Sequence, residues 1–495
     1  MPRKKVKPLL ENVSIEAVAA EGNCLAHIDG KVLFVPQTVP GDIVDVQVNK
    51  VRKAYMEGYV TRIVQPSPDR LEPVCSHYGD CGGCKWQILP YSMQLEAKQR
   101  QVEDQLSRIG HLDLPAISPI LGSEKQYYYR NKLEYTFSSR RWLKRGEDPE
   151  AVTGSDRLGL GFHVAGMFDK VLDVRCCHLQ AEPSNAIRNF VREYAVSRGL
   201  SFFDLREQQG LLRTMIVRTA STGEIMLTVV FGPEGEQWRE ASGRAAAGSP
   251  IAGLLDAIAE EFPQITSLNY VINSKHNDAI GDQDVYTWRG RDCIYEQMEN
   301  LRFKIGPKSF YQTNSAQAYR LYGVVRSFAS DKDGLSASDK YVAVPRNPIV
   351  YDLYTGTGTI ALFLSGMASK VVGIEYVEEA IEDAKANAQL NSISNCTFYA
   401  GDMKDVLNSS FIESNGRPSV VVLDPPRAGI HPSVAEVLLD AAPARIVYVS
   451  CNPASQARDL ALFADAYDIL AVQPVDMFPQ TQHVENVVLL ARKVE

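Results

Sequence analysis

The residues of this chain best suited to chemistry lie late in it. Tyr448-Val449-Ser450-Cys451-Asn452-Pro453 places a cysteine directly after an apolar run, where a strand would end. A thiolate at such a strand end, facing a ligand crevice, is a nucleophile; the same residue turned inward is ordinary core. Leu423-Asp424-Pro425-Pro426-Arg427-Ala428-Gly429 follows another such run, and its double proline could serve only to reverse the chain. Upstream, Asp352-Leu353-Tyr354-Thr355-Gly356-Thr357-Gly358-Thr359 has the glycines that let backbone approach a nucleotide closely. Glu375 stands 23 residues after Asp352, where a carboxylate can accept hydrogen bonds from ribose hydroxyls, and Asp402 suits an adenine amino group. The glycine loop alone fits NAD as well as S-adenosylmethionine (AdoMet), since Ala361 is allowed at the third glycine position. The acids at 352 and 402 favour AdoMet.

A second constellation is made of thiols. Cys75, Cys81 and Cys84, with Gly82 and Gly83 between the last two, sit on one tight loop, and Cys176 or Cys177 offers a fourth ligand. Four thiolates hold zinc or an iron–sulfur cluster. The three-plus-one spacing favours [4Fe–4S], because structural zinc more often uses two paired knuckles. Cys24, Cys293 and Cys396 read as packing residues.

Three kinds of element must position these groups. From about 348 apolar runs alternate with helical periodicity, as in a parallel sheet covered on both faces: 349–353, 371–374, 419–423 and 445–449 read as strands, with a helix from Val377. Residues 9–66 read as short strands with tight turns at Asp29-Gly30 and Pro40-Gly41-Asp42, forming a small closed barrel. Pro66-Ser67-Pro68-Asp69-Arg70 reads as a linker. A helix is expected over Tyr91–Ile109, then strands at 132–138 and 225–231 and helices near 183–198 and 251–261. Ala241–Ser249 and Ser330–Lys340 read as insertions.

The 495 residues exceed one core, so several domains are expected. With 45% hydrophobic and 23% charged residues the chain is globular, and no run spans a bilayer. Basic residues at the start lack an apolar stretch behind them, which argues against secretion and for the cytoplasm. Nine cysteines without such a signal argue for metal or thiol chemistry over disulfides. The net charge of −8 is uneven: residues 1–145 hold 21 Lys and Arg against 16 Asp and Glu, the remainder 31 against 44. A polyanion would therefore meet mainly the front of the molecule. Tyr127-Tyr128-Tyr129-Arg130-Asn131-Lys132 interleaves aromatics with bases, suited either to RNA contact or to edge-strand packing.

Taken together, Phe310-Tyr311-Gln312-Thr313-Asn314, the Asp424–Gly429 motif, Ser450-Cys451-Asn452-Pro453 and His483-Val484-Glu485 resemble the RNA (uracil-5-)-methyltransferase family. Arg427 stands where amine methyltransferases carry an aromatic, which removes support for that chemistry. The resemblance implies Cys451 as nucleophile and Glu485 as base. It implies AdoMet contacts from Gln312, Tyr354, Thr359, Glu375, Asp402 and Asp424. Residues 9–66 resemble a TRAM domain, an OB-like RNA-binding module. The cluster-containing branch implies Cys75, Cys81, Cys84 and Cys177 as [4Fe–4S] ligands, and tips the Tyr-Arg-Asn-Lys run toward RNA.

The expected architecture is α/β: a TRAM-like barrel over 1–68, a central α+β iron–sulfur domain over 69–300, and a Rossmann-like AdoMet methyltransferase domain over 301–495. The expected partner is RNA, with 23S rRNA favoured over tRNA by domain content. No membrane and no obligate protein partner is expected. A non-catalytic RNA-binding protein and an NAD-dependent iron–sulfur oxidoreductase are the competing readings.

Overall fold

The computed structural model describes residues 7–144, 146–330 and 340–494. All but the two ends of the expected insertion at Ser330–Lys340 lies outside the described residues. The first unit is a sheet of β1 (Leu9–Ser14), β2 (Ala17–Val18), β3 (Cys24–Ile28), β4 (Lys31–Val35), β5 (Ile43–Val51) and β6 (Tyr55–Gln65). Its order is β1-β5-β6-β4-β3-β2, so consecutive strands β1 and β2 lie at opposite ends and the sheet curls around Val13, Leu33, Val35, Val44 and Val46. Between β1 and β2 the strand pairing is interrupted at Ile15-Glu16, where Ile15 N–H donates to Asp42 O.

Helix α1 (Tyr91–Gly110) follows. The central sheet contains β7 (Lys132–Ser138), β8 (Gly159–His163), β9 (Val171–Asp173), then after α2 (Ser184–Ser197), β10 (Leu212–Thr219) and β11 (Ile225–Phe231), and after α3 (Pro250–Glu261), β12 (Ser267–Ile272) and β13 (Tyr286–Gly290). The order is β13-β12-β11-β10-β7-β8-β9, with only β11 and β12 parallel among its neighbours. Ala241–Ser249 is not a free loop: Ala245 is buried, its N–H donates to Tyr270 Oη at 2.8 Å, and Ser249 caps α3.

A hairpin, β14 (Ile294–Met298) and β15 (Leu301–Ile305), leads to α4 (Ser315–Ser330). The last unit alternates strands with helices until it closes on two successive strands, and two short helices share one crossover: β16 (Ile349–Leu353), α5 (Thr359–Leu364), β17 (Lys370–Glu375), α6 (Glu378–Leu390), β18 (Cys396–Ala400), α7 (Met403–Val406), α8 (Ser409–Asn415), β19 (Val420–Leu423), α9 (Pro432–Ala441), β20 (Arg445–Ser450), α10 (Pro453–Leu460), β21 (Tyr467–Val475) and β22 (Glu485–Arg492). The strand order is β18-β17-β16-β19-β20-β22-β21, with β22 antiparallel to both neighbours. Alternate side chains face opposite layers. Val350, Val371, Val420 and Val447 pack under α4–α6, whereas Tyr351, Val372, Val421 and Ile446 pack under α8–α10. Burial on both faces is why these strands read as unbroken apolar runs.

The segment 69–300 does not close on a single core of its own but is shared among four. Val102 and Leu106 of α1 sit in the core beneath α9 and α10, and Leu121 bridges to Val475 at the edge of β21. Among the described residues no helix is long and apolar enough to cross a membrane.

Candidate active site

The order of the last sheet reverses between β16 and β19, and ligands of such sheets bind beyond the carboxyl ends of the strands at that switch. Tyr354, Glu375, Asp402, Asp424 and Cys451 all follow or end strands at that edge. β22 is antiparallel and pairs Asn486 with Ser450, so Glu485, at the start of β22, arrives beside Cys451 from the opposite chain direction.

The loop after β16 is shaped for a ligand. Tyr354 is held at φ 67°, in the left-handed region that non-glycine residues rarely adopt, with its N–H on Ile374 O at 2.9 Å. Gly356, at φ +55°, has open space where a side chain would lie. Gly358 has none: a Cβ there would meet Ala384 at 2.9 Å. Glu375 accepts from Gly356 N–H at 3.1 Å and Val377 N–H at 3.0 Å, which fixes its carboxylate at the mouth of the loop. Asp352 is wholly buried, accepts from Thr355 and is pushed up to about 7 by burial.

The other expected cofactor residues are placed less uniformly. Thr359 is buried with its hydroxyl 3.4 Å from that of Thr357. Asp402 caps α7 and pairs with Lys404 at 3.2 Å. Gln312 is half-buried, and its carbonyl is held by Asn131 Nδ2 at 2.8 Å. Phe310 O accepts from Thr357 Oγ1 at 3.3 Å, so residues 310–312 lie over the glycine loop.

Around Cys451 four side chains converge. Burial raises the thiol, Glu485 raises it further, and the Arg427 guanidinium, within hydrogen-bond reach, draws it down. Glu485 is pushed well above the usual carboxylate range by burial and by Asp424, and Asp424 is pushed up to about 7 by burial. Arg427 donates to His483 Nδ1 at 3.0 Å, and burial with that neighbouring cation holds His483 down at about 4, neutral and able to accept. The two loops are sewn together: Asn452 Nδ2 and Ser455 Oγ donate to Arg427 O at 3.1 and 3.0 Å. Asp459 receives Ile430 N–H at 2.8 Å and Tyr448 Oη at 2.7 Å. The geometry presents a thiol beside a cation, and a basic carboxylate facing it.

Residues 289–493 match the tRNA (Uracil-5-)-methyltransferase family, and residues 11–61 match the TRAM domain. An RNA methyltransferase of Porphyromonas gingivalis is 55% identical over 491 residues, which are 98% of this chain and 100% of that one. One of Bacteroides thetaiotaomicron is 54% identical over 473 residues, 96% of this chain and 99% of that one. The chain belongs to the RNA (uracil-5-)-methyltransferase family. It is thus an enzyme of that family with a TRAM domain in front. A solved structure, the Pyrococcus abyssi tRNA (uracil-54, C5)-methyltransferase in complex with S-adenosyl-L-homocysteine, is 26% identical with a TM-score of 0.70, covering 97% of this chain and 100% of that one.

In this RNA (uracil-5-)-methyltransferase Cys75, Cys81, Cys84 and Cys177 line one cavity of about 550 Å³. Cys176 points elsewhere, with its sulfur 3.8 Å from His178 Nε2. All four lining thiols are free; burial pushes Cys84 up to about 11 and Cys177 to about 12. Among the described residues no three His, Cys, Asp or Glu are grouped so as to hold a metal ion. The chain around the thiols is nonetheless fixed: Cys75 N–H donates to Gln87 and Cys177 N–H to Asn185, at 3.0 and 2.8 Å.

The Tyr127–Lys132 run is mainly internal scaffolding. Tyr129 is buried with its hydroxyl on Pro479 O, and Asn131 holds Gln312 and Ser315. Tyr128, half-exposed and edge-on to His178, is the residue of the run most open to a base. Sequence reasoning missed Arg427 as a partner of the thiol, His483 as its support, and Asp459. Arginine in place of an expected aromatic was the available signal for the first.

Proposed function

We propose that this enzyme methylates C5 of a uridine in structured 23S rRNA. The observation that carries the reading is the convergence of Cys451, Arg427, Glu485 and Asp424 at the crevice beside the glycine loop. Uracil C5 is a weak nucleophile until a thiolate adds to C6. Cys451, its thiolate favoured by Arg427, forms the C6–S bond, and the electron pair of the C5=C6 double bond moves to C5 and the adjoining carbonyl. AdoMet, when bound, supplies an electrophilic methyl group; Gln312, Tyr354, Thr359, Glu375, Asp402 and Asp424 would hold it. C5 would form its bond to that methyl group as the sulfur–methyl bond breaks, its electron pair remaining on sulfur as the neutral thioether. Glu485 then removes the C5 proton, the C5=C6 bond re-forms and Cys451 leaves as thiolate. Burial makes Glu485 a stronger base than an exposed glutamate, which suits a carbon acid. Asp424 would also hold the uracil edge.

Cys75, Cys81, Cys84 and Cys177 are read as ligands of a [4Fe–4S] cluster that braces the central domain. Four thiols line one cavity, and their three-plus-one spacing in the chain supports a cluster over one tetrahedral ion. Anaerobically prepared protein should absorb broadly near roughly 400 nm and carry iron; colourless protein with stoichiometric zinc refutes the cluster. The enzyme would work in the cytoplasm.

A second reading, tRNA as substrate, is favoured by the likeness of the whole chain to the Pyrococcus tRNA enzyme. Both are tested with 5-fluorouridine-substituted ribosomal and transfer RNA plus AdoMet. Fluorine cannot leave as a proton, so a working enzyme is trapped covalently. A complex with one RNA class, lost in Cys451→Ala, fixes chemistry and substrate together. No complex with either RNA, from protein that binds both AdoMet and RNA, overturns the proposal.

A further inference from the structure

The segment that delivers Glu485 to the site is Asp476–Val484, and it is gripped far more tightly than a connecting loop requires. Gln480 sits at its centre, 2% exposed, with φ 68°. Its N–H donates to Gln94 Oε1 at 2.9 Å, and its side-chain oxygen accepts from Gln94 Nε2 at 3.0 Å. Its carbonyl accepts from the amides of Lys85 and Trp86 at 2.8 and 3.1 Å, the two residues directly after Cys84. Gln94 also donates to Trp86 O and Leu89 O at 3.1 and 2.9 Å. Beside this clasp lies a wholly buried ion pair, Lys98 with Asp476 at 2.5 Å, and Tyr91 donates to the same carboxylate at 2.7 Å. Asn314 Nδ2 holds Met477 O at 2.9 Å from a third side.

Burying so many polar groups in one short stretch stabilises little by itself; what a fully satisfied network provides is a single geometry. Five residues beyond Gln480 stands Glu485, and three beyond it stands His483, which accepts from Arg427. We infer that the Gln94–Gln480 clasp positions Glu485, and through Lys85 and Trp86 ties that positioning to the cysteine loop. Gln94 and Gln480 are positioning residues: neither reaches the reacting atoms. The inference rests on the proposed chemistry, in which Cys451 and Glu485 act at different steps.

That difference supplies the test. A misplaced Glu485 slows removal of the C5 proton while leaving thiolate addition and methyl transfer intact. The methylated adduct, with its C6–S bond unbroken, must then accumulate on ordinary uridine RNA. Gln94→Met keeps the volume and removes the clasp; Gln480→Met removes one hydrogen bond and leaves the backbone grips. With an unsubstituted 23S rRNA or tRNA transcript, Gln94→Met is expected to lose about ten- to a hundredfold in turnover. A covalent protein–RNA band should appear, absent from the wild type, with Gln480→Met affected less. Trapping by 5-fluorouridine RNA should stay within about twofold of wild type, which also shows that the variant is folded. Trapping that falls in step with turnover, or slow turnover without a covalent band, overturns the inference; if Gln94→Met does not fold, the same criteria apply to Gln480→Met. Wild type that gives no 5-fluorouridine complex instead removes the underlying proposal.

Discussion

Two regions of this molecule place cysteine among chemically matched neighbours, and they differ in what those neighbours can stabilise. Cys451 is partly exposed and faces a guanidinium, so a thiolate there has a counter-charge within the protein itself. Cys81 and Cys84 are partly exposed as well and Cys177 is buried; burial raises all three, and the neighbouring thiols raise them further. Arg130, which lines the same cavity, draws Cys84 down only slightly beside the larger effects of burial and the other thiols, so four thiolates together would need further positive charge. The contrast separates a nucleophile from a ligand set: burial sets both kinds of thiol high, and the number of thiols set against a resident cation decides which can act alone.

The largest effect expected from breaking the comparison is at Cys451 itself. Cys451→Ala should abolish methylation, a loss of at least about 10⁴-fold in turnover, while leaving AdoMet affinity and thermal stability close to wild type. Radiolabelled methyl incorporation together with a melting curve checks both halves. Cys84→Ser should do the reverse. It should remove any absorption near roughly 400 nm and lower stability by several kcal/mol, as losses of structural metal do. A variant that retains full colour and full stability would mean that Cys84 is not a ligand, and a wild type without that absorption and no more stable than the variant would mean that the four thiols hold nothing.

Arg427 sharpens the comparison next. Cys451 must be ionised to attack, so the rate of addition rises with pH through the thiol pKa. Because Arg427 draws that pKa down, Arg427→Met should move the rising limb to higher pH. Alkylation of Cys451 and trapping by 5-fluorouridine RNA should shift together; an unshifted profile would show that the guanidinium does not serve the thiolate. Buried, elevated Glu485 adds a second requirement of the same sign, since its proton must also be off before it can act as base. Both groups thus make the enzyme fail as pH falls.

How far these arrangements were legible in the sequence follows from their range. The last sheet was legible because each strand is buried on both faces and each helix repeats at its own period. The strand ends bearing Tyr354, Glu375, Asp424 and Cys451 came with it. Glu485 was legible only by motif, because its neighbour Cys451 is met across an antiparallel pairing that no local pattern announces. Lys98 would pass for a solvated lysine on a helix face, yet it is wholly buried against Asp476, 378 residues away. The Gln94–Gln480 clasp spans 386 residues, and nothing in the composition of either segment marks it. Periodicity reports which face of an element is buried, but not which distant segment buries it.

The smallest predicted effect concerns the seam that keeps Cys451 and Arg427 together. Asn452 caps α10 through Ala454 N–H at 3.2 Å while its amide holds Arg427 O at 3.1 Å. Asn452→Ala should cost about 1 kcal/mol in stability, as the loss of a cap usually does. Ser455 also holds Arg427 O, so the Asp424–Gly429 loop should stay in place and turnover should fall only a few-fold. Asn452→Asp keeps the cap, since a carboxylate oxygen still accepts from Ala454 N–H, but it cannot donate to Arg427 O. If the cap is what matters, Asn452→Asp retains both the stability and most of the rate that Asn452→Ala loses; if the seam matters, it retains the stability and not the rate. Denaturant melts and single-turnover trapping on the two variants separate these cases, and so measure how firmly the cation must be held beside the thiol that has to ionise.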